Sequence, residues 1–261
     1  MTLALWKCRD CGFIFAHDEE LNQLTSLYER LSDVDYVNSR EPRLFQMRWL
    51  LETAQKVNPK AVSLLDVGAG AGLLVAEAKR LGLEATGVEP CRAFVDSARV
   101  LYGVEILHGV LPHPELANRQ FDLVFLVDVI EHVSDPVKLL RQSARLLSSG
   151  GLLVVVTPDV GSLPAKILGP RWWHFRVAHV GYFDRTSLRK AIKAVGLVAV
   201  YESRAKWFFS VRYLAERLAV YLPIHWLNRI ASRVQLLRWC YDRAAPLNLH
   251  DSFLVFLQRA E

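Results

Sequence analysis

The residues with the clearest chemical meaning are three glycines that follow an aliphatic run and an acid. The stretch LDVGAGAG contains Asp66 and then, at a spacing of two, Gly68, Gly70 and Gly72. Because glycine lacks a Cβ, this turn can adopt strained dihedral angles and let backbone N–H groups approach a ligand. Glu89 ends the next predicted strand, where a carboxylate can accept hydrogen bonds from both hydroxyls of a ribose. The turn and the spaced acid together predict a nucleoside site.

Two kinds of nucleoside ligand fit this pattern, a dinucleotide or an adenosyl group. The dinucleotide fingerprint G-x-G-x-x-G requires glycine at position 73, but that residue is Leu73, and the third glycine stands one position earlier at Gly72. The shift favours the adenosyl group. A tight strand-to-helix turn without a ligand is the remaining interpretation, and the presence of Glu89 at the expected distance argues against it.

Acids and histidines suited to proton transfer or metal binding follow two later strands. DVIEH supplies Asp128, Glu131 and His132, a carboxylate pair and an imidazole that could hold one divalent ion. AHVGYF supplies His179. We predict His179 and His132 as catalytic bases. Structural hydrogen bonding is the alternative for both, and metal binding is a further alternative for the DVIEH group.

The segment RWWHF (171–175) precedes His179. We predict that the two together form a lid near the mouth of the acceptor site. Adjacent Trp172 and Trp173 cannot both point into one core from a helix or a strand, so at least one should line a pocket or an interface. His174 is a weaker candidate base, because no motif surrounds it.

From residue 41 onward, short aliphatic runs alternate with longer amphipathic segments, which is typical of βαβ units around a parallel sheet. We predict seven strands, at 63–67, 85–88, 105–108, 123–127, 152–157, 198–202 and 253–257. Helices are predicted at 43–57, 72–80, 92–101, 136–147 and 187–194. The runs VSLLDV, FDLVFLVDV and GLLVVVT are continuously apolar, so their strands should be covered on both faces. This arrangement places the glycine turn at the carboxyl edge of the sheet.

In this order the motifs resemble those of the class I S-adenosylmethionine-dependent methyltransferases. LDVGAGAG fills the pattern hydrophobic-D-x-G-x-G-x-G, with Glu89 in the second motif. FDLVFLVDVIEHVSDPVKLL is similar to the fourth strand and its helix, GGLLVVVTPD to the fifth strand, and HVGYFDRTSLRKAIKAVGL to the segment before the sixth. The resemblance covers roughly residues 60–203 and 252–258. It implies an α/β fold with a Rossmann-like, mostly parallel seven-stranded sheet whose last strand is antiparallel, and S-adenosyl-L-methionine (SAM) as the cofactor.

The resemblance also implies roles for particular residues. Gly68 and Gly70 would flank the methionine part of the cofactor, Glu89 would hold its ribose, and the loop at Val110 and Leu111 would pass its adenine. The complete set of predicted cofactor-binding residues is Asp66, Gly68, Gly70, Gly72, Glu89, Val110, Leu111 and Asp128. The D-x-x-E-H group is similar to an E-x-x-E-H metal-binding arrangement in ubiquinone-biosynthesis O-methyltransferases, from which it departs by having Asp128 in place of glutamate.

The amino-terminal sequence KCRDCGF contains a single C-x-x-C pair, Cys8 and Cys11. It resembles the latter half of a zinc ribbon found at the front of other methyltransferases. A closed structural zinc site needs four ligands, and no second C-x-x-C precedes Cys8, which disfavours a metal here. The stretch after it, EELNQLTSLYERLSDVDYVNSR, is similar to a helical cap that closes over the cofactor in those proteins.

A basic segment, 205–248, separates the last two predicted strands. From Arg204 to Arg243 eight basic residues stand against two acids, and apolar residues recur at helical spacing, which predicts two amphipathic helices divided at Pro223. Three uses remain open: packing on the core or in a homodimer, binding to a membrane surface, or binding to RNA. Because the rest of the chain is nearly neutral, a nucleic-acid partner is disfavoured.

Composition sets the remaining bounds. A chain of 261 residues with 52% hydrophobic content can build one large α/β domain with an appendage. Its longest stretch without Asp, Glu, Lys or Arg runs from Leu146 to Pro158, too short for a membrane span, and its start lacks the features of a secretory signal. Few, scattered cysteines indicate a reducing compartment. We therefore expect a cytoplasmic protein, with the basic segment as a means of peripheral attachment to the inner membrane face.

The sequence thus predicts four parts: an N-terminal knuckle-like segment and cap (1–40), a SAM-binding core (41–204), a basic helical insertion (205–248) and the final core strand (249–261). The expected function is methyl transfer to a small-molecule, lipid-linked or saccharide-linked acceptor, with oxygen favoured as the acceptor atom. One alternative is an RNA methyltransferase, although the N-P-P-Y loop of nucleobase amino-methylases is absent. A non-catalytic, membrane-associated protein that binds SAM is the other.

Overall fold

The computed structural model describes residues 4–17, 40–210 and 244–260. Its strands are β1 (Leu5–Lys7), β2 (Ile14–Ala16), β3 (Ser63–Val67), β4 (Glu84–Glu89), β5 (Leu107–His108), β6 (Phe121–Val127), β7 (Leu147–Pro158), β8 (Gly181–Tyr182), β9 (Leu197–Arg204), β10 (Trp207–Ser210), β11 (Ala244–Leu247) and β12 (Ser252–Arg259). Its helices are α1 (Arg40–Val57), α2 (Leu73–Arg80), α3 (Arg92–Tyr102), α4 (Pro136–Arg145), α5 (Leu163–Leu168) and α6 (Arg185–Ala194). Short 3-10 turns occur at Pro114–Leu116 and Gly169–Arg171.

A seven-stranded sheet forms the centre, in the order β5-β4-β3-β6-β7-β12-β9. The first five strands in that order are parallel, and β12 pairs antiparallel with both β7 and β9. The fold class predicted from the sequence is thereby confirmed. From β3 the chain winds outward to β4 and β5 and then returns to β6 on the other side, so the strand order reverses between β3 and β6. Open α/β sheets bind ligands at the carboxyl end of such a reversal.

The central strands are apolar on both faces because helices cover both. Leu64 and Phe125 point into one core cluster with side chains of α1, α2 and α3. Leu65 and Val124 point into the other, with side chains of α4 and α6. All four are fully buried. The continuous aliphatic runs of the sequence therefore reflect a sheet between two helical layers.

Element boundaries differ from the sequence-based prediction where pairing competes with helix formation. Helix α4 was expected to reach Leu147, but it ends at Arg145, because Leu147 pairs with Phe121 and begins β7. Strand β7 is accordingly five residues longer at its start than predicted. The strand predicted at 105–108 forms only at Leu107–His108.

Two small sheets and one helix lie outside the predicted pattern. The hairpin β1–β2 joins β8 in a three-stranded sheet, and β10 pairs with β11. The basic insertion, which was expected to be helical, starts instead with a strand, because Trp207 pairs with Leu247. The indole of Trp207 packs against the core, and its Nε1 donates to Ser252 Oγ at 3.3 Å. Helix α5 was not predicted.

The predicted cap at 19–40 lies almost entirely outside the described residues, as does the greater part of the basic insertion, 211–243. Within the part of the chain that the structure describes, no helix has both the length and the apolar character to span a bilayer.

Candidate functional site

The glycine turn leaves β3 at the strand reversal, and all three of its glycines have positive φ: 75° at Gly68, 52° at Gly70 and 80° at Gly72. A Cβ on Gly68 would lie 2.6 Å from Val129 Cγ2, and one on Gly72 would lie 2.8 Å from Ile106 Cδ1. The sequence had suggested that a ligand excludes side chains here. The structure adds a second reason, which is that the protein's own side chains fill the space beside Gly68 and Gly72.

The acid that ends β4 is bonded to this turn. Glu89 is buried, and its Oε2 accepts a hydrogen bond from Gly70 N at 2.9 Å while its Oε1 accepts one from Cys91 N at 2.9 Å. Burial raises the pKa of Glu89 against the effect of these two bonds. Each carboxylate oxygen keeps a second lone pair, so both remain able to accept a hydroxyl hydrogen. The carboxyl group thus links the glycine turn to the position predicted for a ribose.

Asp66 lies between these groups and is the most strongly perturbed acid of the crevice. Its carboxyl is buried, and the loss of hydration, together with the nearby charge of Glu89, raises the pKa of Asp66 to about 8. A cofactor with a positive charge next to this carboxyl would favour the ionised form.

The enclosed part of the crevice has a volume of about 40 Å³. It is lined from the sheet side by Asp66, Gly68 and Asp128, and from α1 by Arg43 and Met47. Ligand pockets of drug-sized molecules usually measure about 300–1,000 Å³. This enclosed part is therefore too small to hold a nucleoside by itself.

The loop that is predicted to lie beside the adenine follows β5. Val110 is largely exposed, whereas Leu111 is buried in the core on the α4 and α6 side. Of the two, Val110 is the side chain available to a ligand at the edge of the sheet.

Asp128 occupies the corresponding position at the end of β6. Its backbone is held in the left-handed region, with φ 55°, and its N–H donates to Val156 O at 3.0 Å. Burial raises the pKa of Asp128 to about 6, against the opposing charges of Arg43, His174 and Arg176. Its Oδ1 is buried and has no hydrogen-bond partner within the described residues.

A buried polar network lies directly after Asp128. Glu131 Oε2 accepts from Thr157 Oγ1 at 2.9 Å, and His132 Nδ1 lies 2.7 Å from Ala178 O. The ring of His179 meets that of His132 edge to face, with 4.7 Å between centroids. Both histidines predicted as bases are therefore brought together, and they contact the acid predicted beside them.

Burial changes the protonation of this network. It lowers the pKa of His132 to about 4 and that of His179 to about 2, where neighbouring positive charges add to the effect. It raises the pKa of Glu131 well above its ordinary range. Near neutral pH both imidazoles are thus neutral, and burial favours the protonated form of the Glu131 carboxyl. A neutral imidazole whose cation is so disfavoured is a weak proton acceptor.

Glu131, His132 and His179 each offer one ligand-type atom, and these atoms lie within 4.8 Å of one another. A divalent ion could be held there, although the set differs from the predicted one because His179 takes the place of Asp128. Ion binding would have to displace the Glu131 proton, and the residues described supply three ligands, not four. Glu131 and His132 are hydrogen-bonded to Thr157 and Ala178, whereas Glu131 Oε1 and His179 Nδ1 have no hydrogen-bond partner within the described residues.

The sequence did not reveal the partner of His174. His174 Nε2 lies 3.3 Å from Asp251 Oδ2, and Trp172 Nε1 donates to the same oxygen at 3.3 Å. Trp172 and Asp251 are almost fully buried, whereas Trp173 is 39% exposed, so the two tryptophans do not both point into one core. No sequence signal connects 174 with 251, because the two residues are far apart in the chain and meet only through long-range packing.

The knuckle-like sequence is a hairpin turn. Gly12 N donates to Cys8 O at 3.0 Å, and backbone hydrogen bonds from Cys11 and Asp10 lower the pKa of the Cys8 thiol. Among the residues that the structure describes, no further His, Cys, Asp or Glu completes a metal-binding group with these two cysteines. The hairpin continues into β8 through the pair Phe15 and Gly181, two residues after His179.

A doubly wound parallel sheet, a glycine turn at its strand reversal and a buried acid one strand away define a nucleoside-binding α/β protein. A family described as methyltransferase domain matches residues 36–202, well over half of the chain. The chain belongs to this family, and with these motifs it is a class I SAM-dependent methyltransferase whose cofactor is SAM.

Individual relatives agree in name or in fold. A ubiquinone biosynthesis O-methyltransferase of Xanthomonas axonopodis pv. citri (strain 306) is 33% identical over 147 residues, which are 54% of this chain and 61% of that protein. The plantazolicin methyltransferase BamL, solved with S-adenosylhomocysteine (SAH), has a TM-score of 0.61 at 14% identity, over 92% and 94% of the two chains. The magnesium protoporphyrin IX methyltransferase of Synechocystis PCC 6803, also solved with SAH, has a TM-score of 0.52 at 13% identity over the same shares. At such identities the two structures show the fold alone.

Proposed function

We propose that this chain transfers the methyl group of SAM to an oxygen atom of a small-molecule or lipid-linked acceptor. The observation that carries the proposal is the carboxyl of Asp128, which follows β6, lines the cofactor crevice and has one oxygen without a hydrogen-bond partner among the described residues. Transfer to a hydroxyl oxygen requires a proton acceptor there, whereas a carbon or a neutral amine makes other demands. The printed name of the Xanthomonas relative, an O-methyltransferase, supports the same choice.

In this proposal Glu89 binds the ribose, and the turn from Gly68 to Gly70 carries the methionine part across the end of β3. Methyl transfer from a sulfonium is an in-line displacement, so the protein must align the acceptor oxygen with the methyl carbon and exclude water. Helix α1 supports this role, because Arg43 and Met47 already cover the crevice. Asp128 also lines the crevice, and its Oδ1, which has no hydrogen-bond partner among the described residues, would accept a hydrogen bond from the acceptor hydroxyl.

A lipid-linked acceptor is supported by an apolar groove of about 510 Å³ beside the lid. Its lining residues are Leu163, Pro164, Ile167, Leu168, Leu249 and His250. Leu163 and Ile167 are about 70% exposed, so α5 presents a bare apolar face to solvent. Large exposed apolar surfaces commonly mark binding sites. We assign this groove to the hydrocarbon chain of the acceptor, and the basic segment 205–248 to the anionic surface of the membrane that holds it.

The test is a methyl-transfer assay with radiolabelled SAM and a panel of acceptors. The panel contains soluble catechols and phenols, simple sugars, prenylated phenols in detergent, and total RNA. We expect label in hydroxylated acceptors, with a lower KM for prenylated than for unprenylated phenols. Label in RNA alone, or SAM binding measured by calorimetry without transfer to any acceptor, would overturn the proposal.

A further inference from the structure

A histidine and an acid that no motif connects form a buried pair near Asp128, the acid that lines the crevice at the end of β6. His174 is 8% exposed and Asp251 is 1% exposed. Asp251 Oδ2 is fixed by Trp172 Nε1 and lies 3.3 Å from His174 Nε2. A buried carboxylate next to Nε2 favours the tautomer with its proton on Nε2, which leaves Nδ1 as the proton acceptor.

The position of the ring fits a role in the reaction. His174 stacks on His179 with 6.1 Å between centroids and 22° between planes, and it lies 6.3 Å from the ring of Trp207. It also acts electrostatically on Asp128, which lines the cofactor crevice. The imidazole therefore lies near His179, near Trp207 of β10 and near the acid that ends β6.

From this geometry we propose that His174, positioned by Asp251, is the group that takes the proton from the methyl acceptor. The proposal rests on the O-methyl transfer proposed above. In the step, the acceptor O–H bond breaks and its proton moves to His174 Nδ1. The oxygen electron pair forms the bond to the methyl carbon, and the methyl–sulfur bond breaks with its electrons returning to sulfur.

The charge balance of this step explains why a carboxylate beside His174 is useful. The positive charge leaves the sulfonium and appears on the imidazolium of His174, which is already paired with the Asp251 carboxylate. The other charged or titratable groups nearby are Asp128, His179 and Arg176, with Arg43 facing Asp128 from α1. Glu131, the carboxyl that lies near His179 and His132, has a pKa raised well above its ordinary range by burial, which makes it a poor partner for an imidazolium. In this proposal His179 and His132 shape the pocket and do not take the proton.

The experiment compares His174→Asn, Asp251→Asn and His179→Asn with a control, His17→Asn, at an exposed position outside the site. With the acceptor found in the panel, we expect His174→Asn to lower kcat about 10²–10⁴-fold. The KM for SAM should stay unchanged, and the acidic limb of the pH–rate profile should disappear. Asp251→Asn should lower kcat less. His179→Asn should keep the acidic limb. In a further variant, His174→Ala, added imidazole should restore part of the activity. A His174→Asn enzyme with wild-type kcat and pH profile would overturn the proposal.

A second arm requires no acceptor. Histidine ring signals of the ¹⁵N-labelled protein saturated with SAH report which ring nitrogen carries the proton. We expect Asp251→Asn to change the signals of His174 and the exposed variant Asp96→Asn to leave them unchanged. Unchanged signals in Asp251→Asn would contradict the pairing whatever the activity assay gives. The expected signals together with a wild-type protein that methylates nothing would count against the proposed function alone.

Discussion

At the scale of single residues, Glu89 has the most specific role, because one side chain both fixes the glycine turn and faces the predicted ribose. Glu89→Ala should weaken SAM binding by about 1.5–3 kcal/mol, the range for hydrogen bonds to a charged group, or about 10- to 150-fold in Kd. Isothermal calorimetry measures this. Glu84→Ala, at the exposed start of the same strand, is the matched control and should bind normally. Equal affinity in both variants would remove Glu89 from the cofactor site.

Asp66 makes the stability of the ligand-free protein depend on pH in an unusual direction. Its pKa is about 8 in the folded protein, against an ordinary value of 3.8, so the native state keeps a proton that the unfolded chain has lost. Stability contributed in this way is lost as pH rises through that interval. We expect the melting temperature to fall from pH 7 to pH 8.5 in the wild type and to fall less in Asp66→Asn. Asp96→Asn is the control. Parallel curves for all three proteins would contradict the assignment.

At the scale of elements, the β3–α2 turn allows steric packing to be separated from backbone strain. Gly68 and Gly82 have similar φ angles, 75° and 85°, but only Gly68 has a side chain, Val129, where a Cβ would stand. Gly82→Ala should cost about 1–2 kcal/mol for the left-handed backbone. Gly68→Ala should cost about 1–3 kcal/mol more because of overpacking. Urea unfolding measures both, and Val129→Ala should restore part of the second loss. Equal costs for the two glycines would mean that Val129 simply moves aside.

The elements also show which parts of the site a sequence can predict. Strand β3, the glycine turn and Glu89 were predictable because they are close in the chain and obey local rules for strands and turns. Asp251 was not, because its relation to His174 depends on how a lid and a distant strand pack. Trp207 was assigned to a helix because apolar residues at helical spacing follow it in the sequence, whereas its pairing with Leu247 is a long-range contact.

For the whole molecule, the structure shows where the basic insertion can be removed without disturbing the core. Ser210 and Ala244, the residues that flank 211–243, pair directly, so an Asn-Gly turn can join β10 to β11. Because Trp207 and Asp251 remain in place, we expect this deletion variant to keep the fold, the melting temperature within a few degrees, and the affinity for SAM.

The same variant decides what the insertion contributes to membrane binding. The segment 211–243 contains six arginines and two acids, so it should be attracted to anionic lipid and released by salt. In a sedimentation assay with phosphatidylglycerol vesicles, the wild-type protein should pellet at low salt and the deletion variant should remain in the supernatant. If the variant still pellets, the attachment belongs to the apolar face of α5, and adding Ile167→Glu to the deletion should then release it. If the wild-type protein does not pellet either, the basic segment has no membrane role, and the soluble members of the acceptor panel become the substrates to pursue.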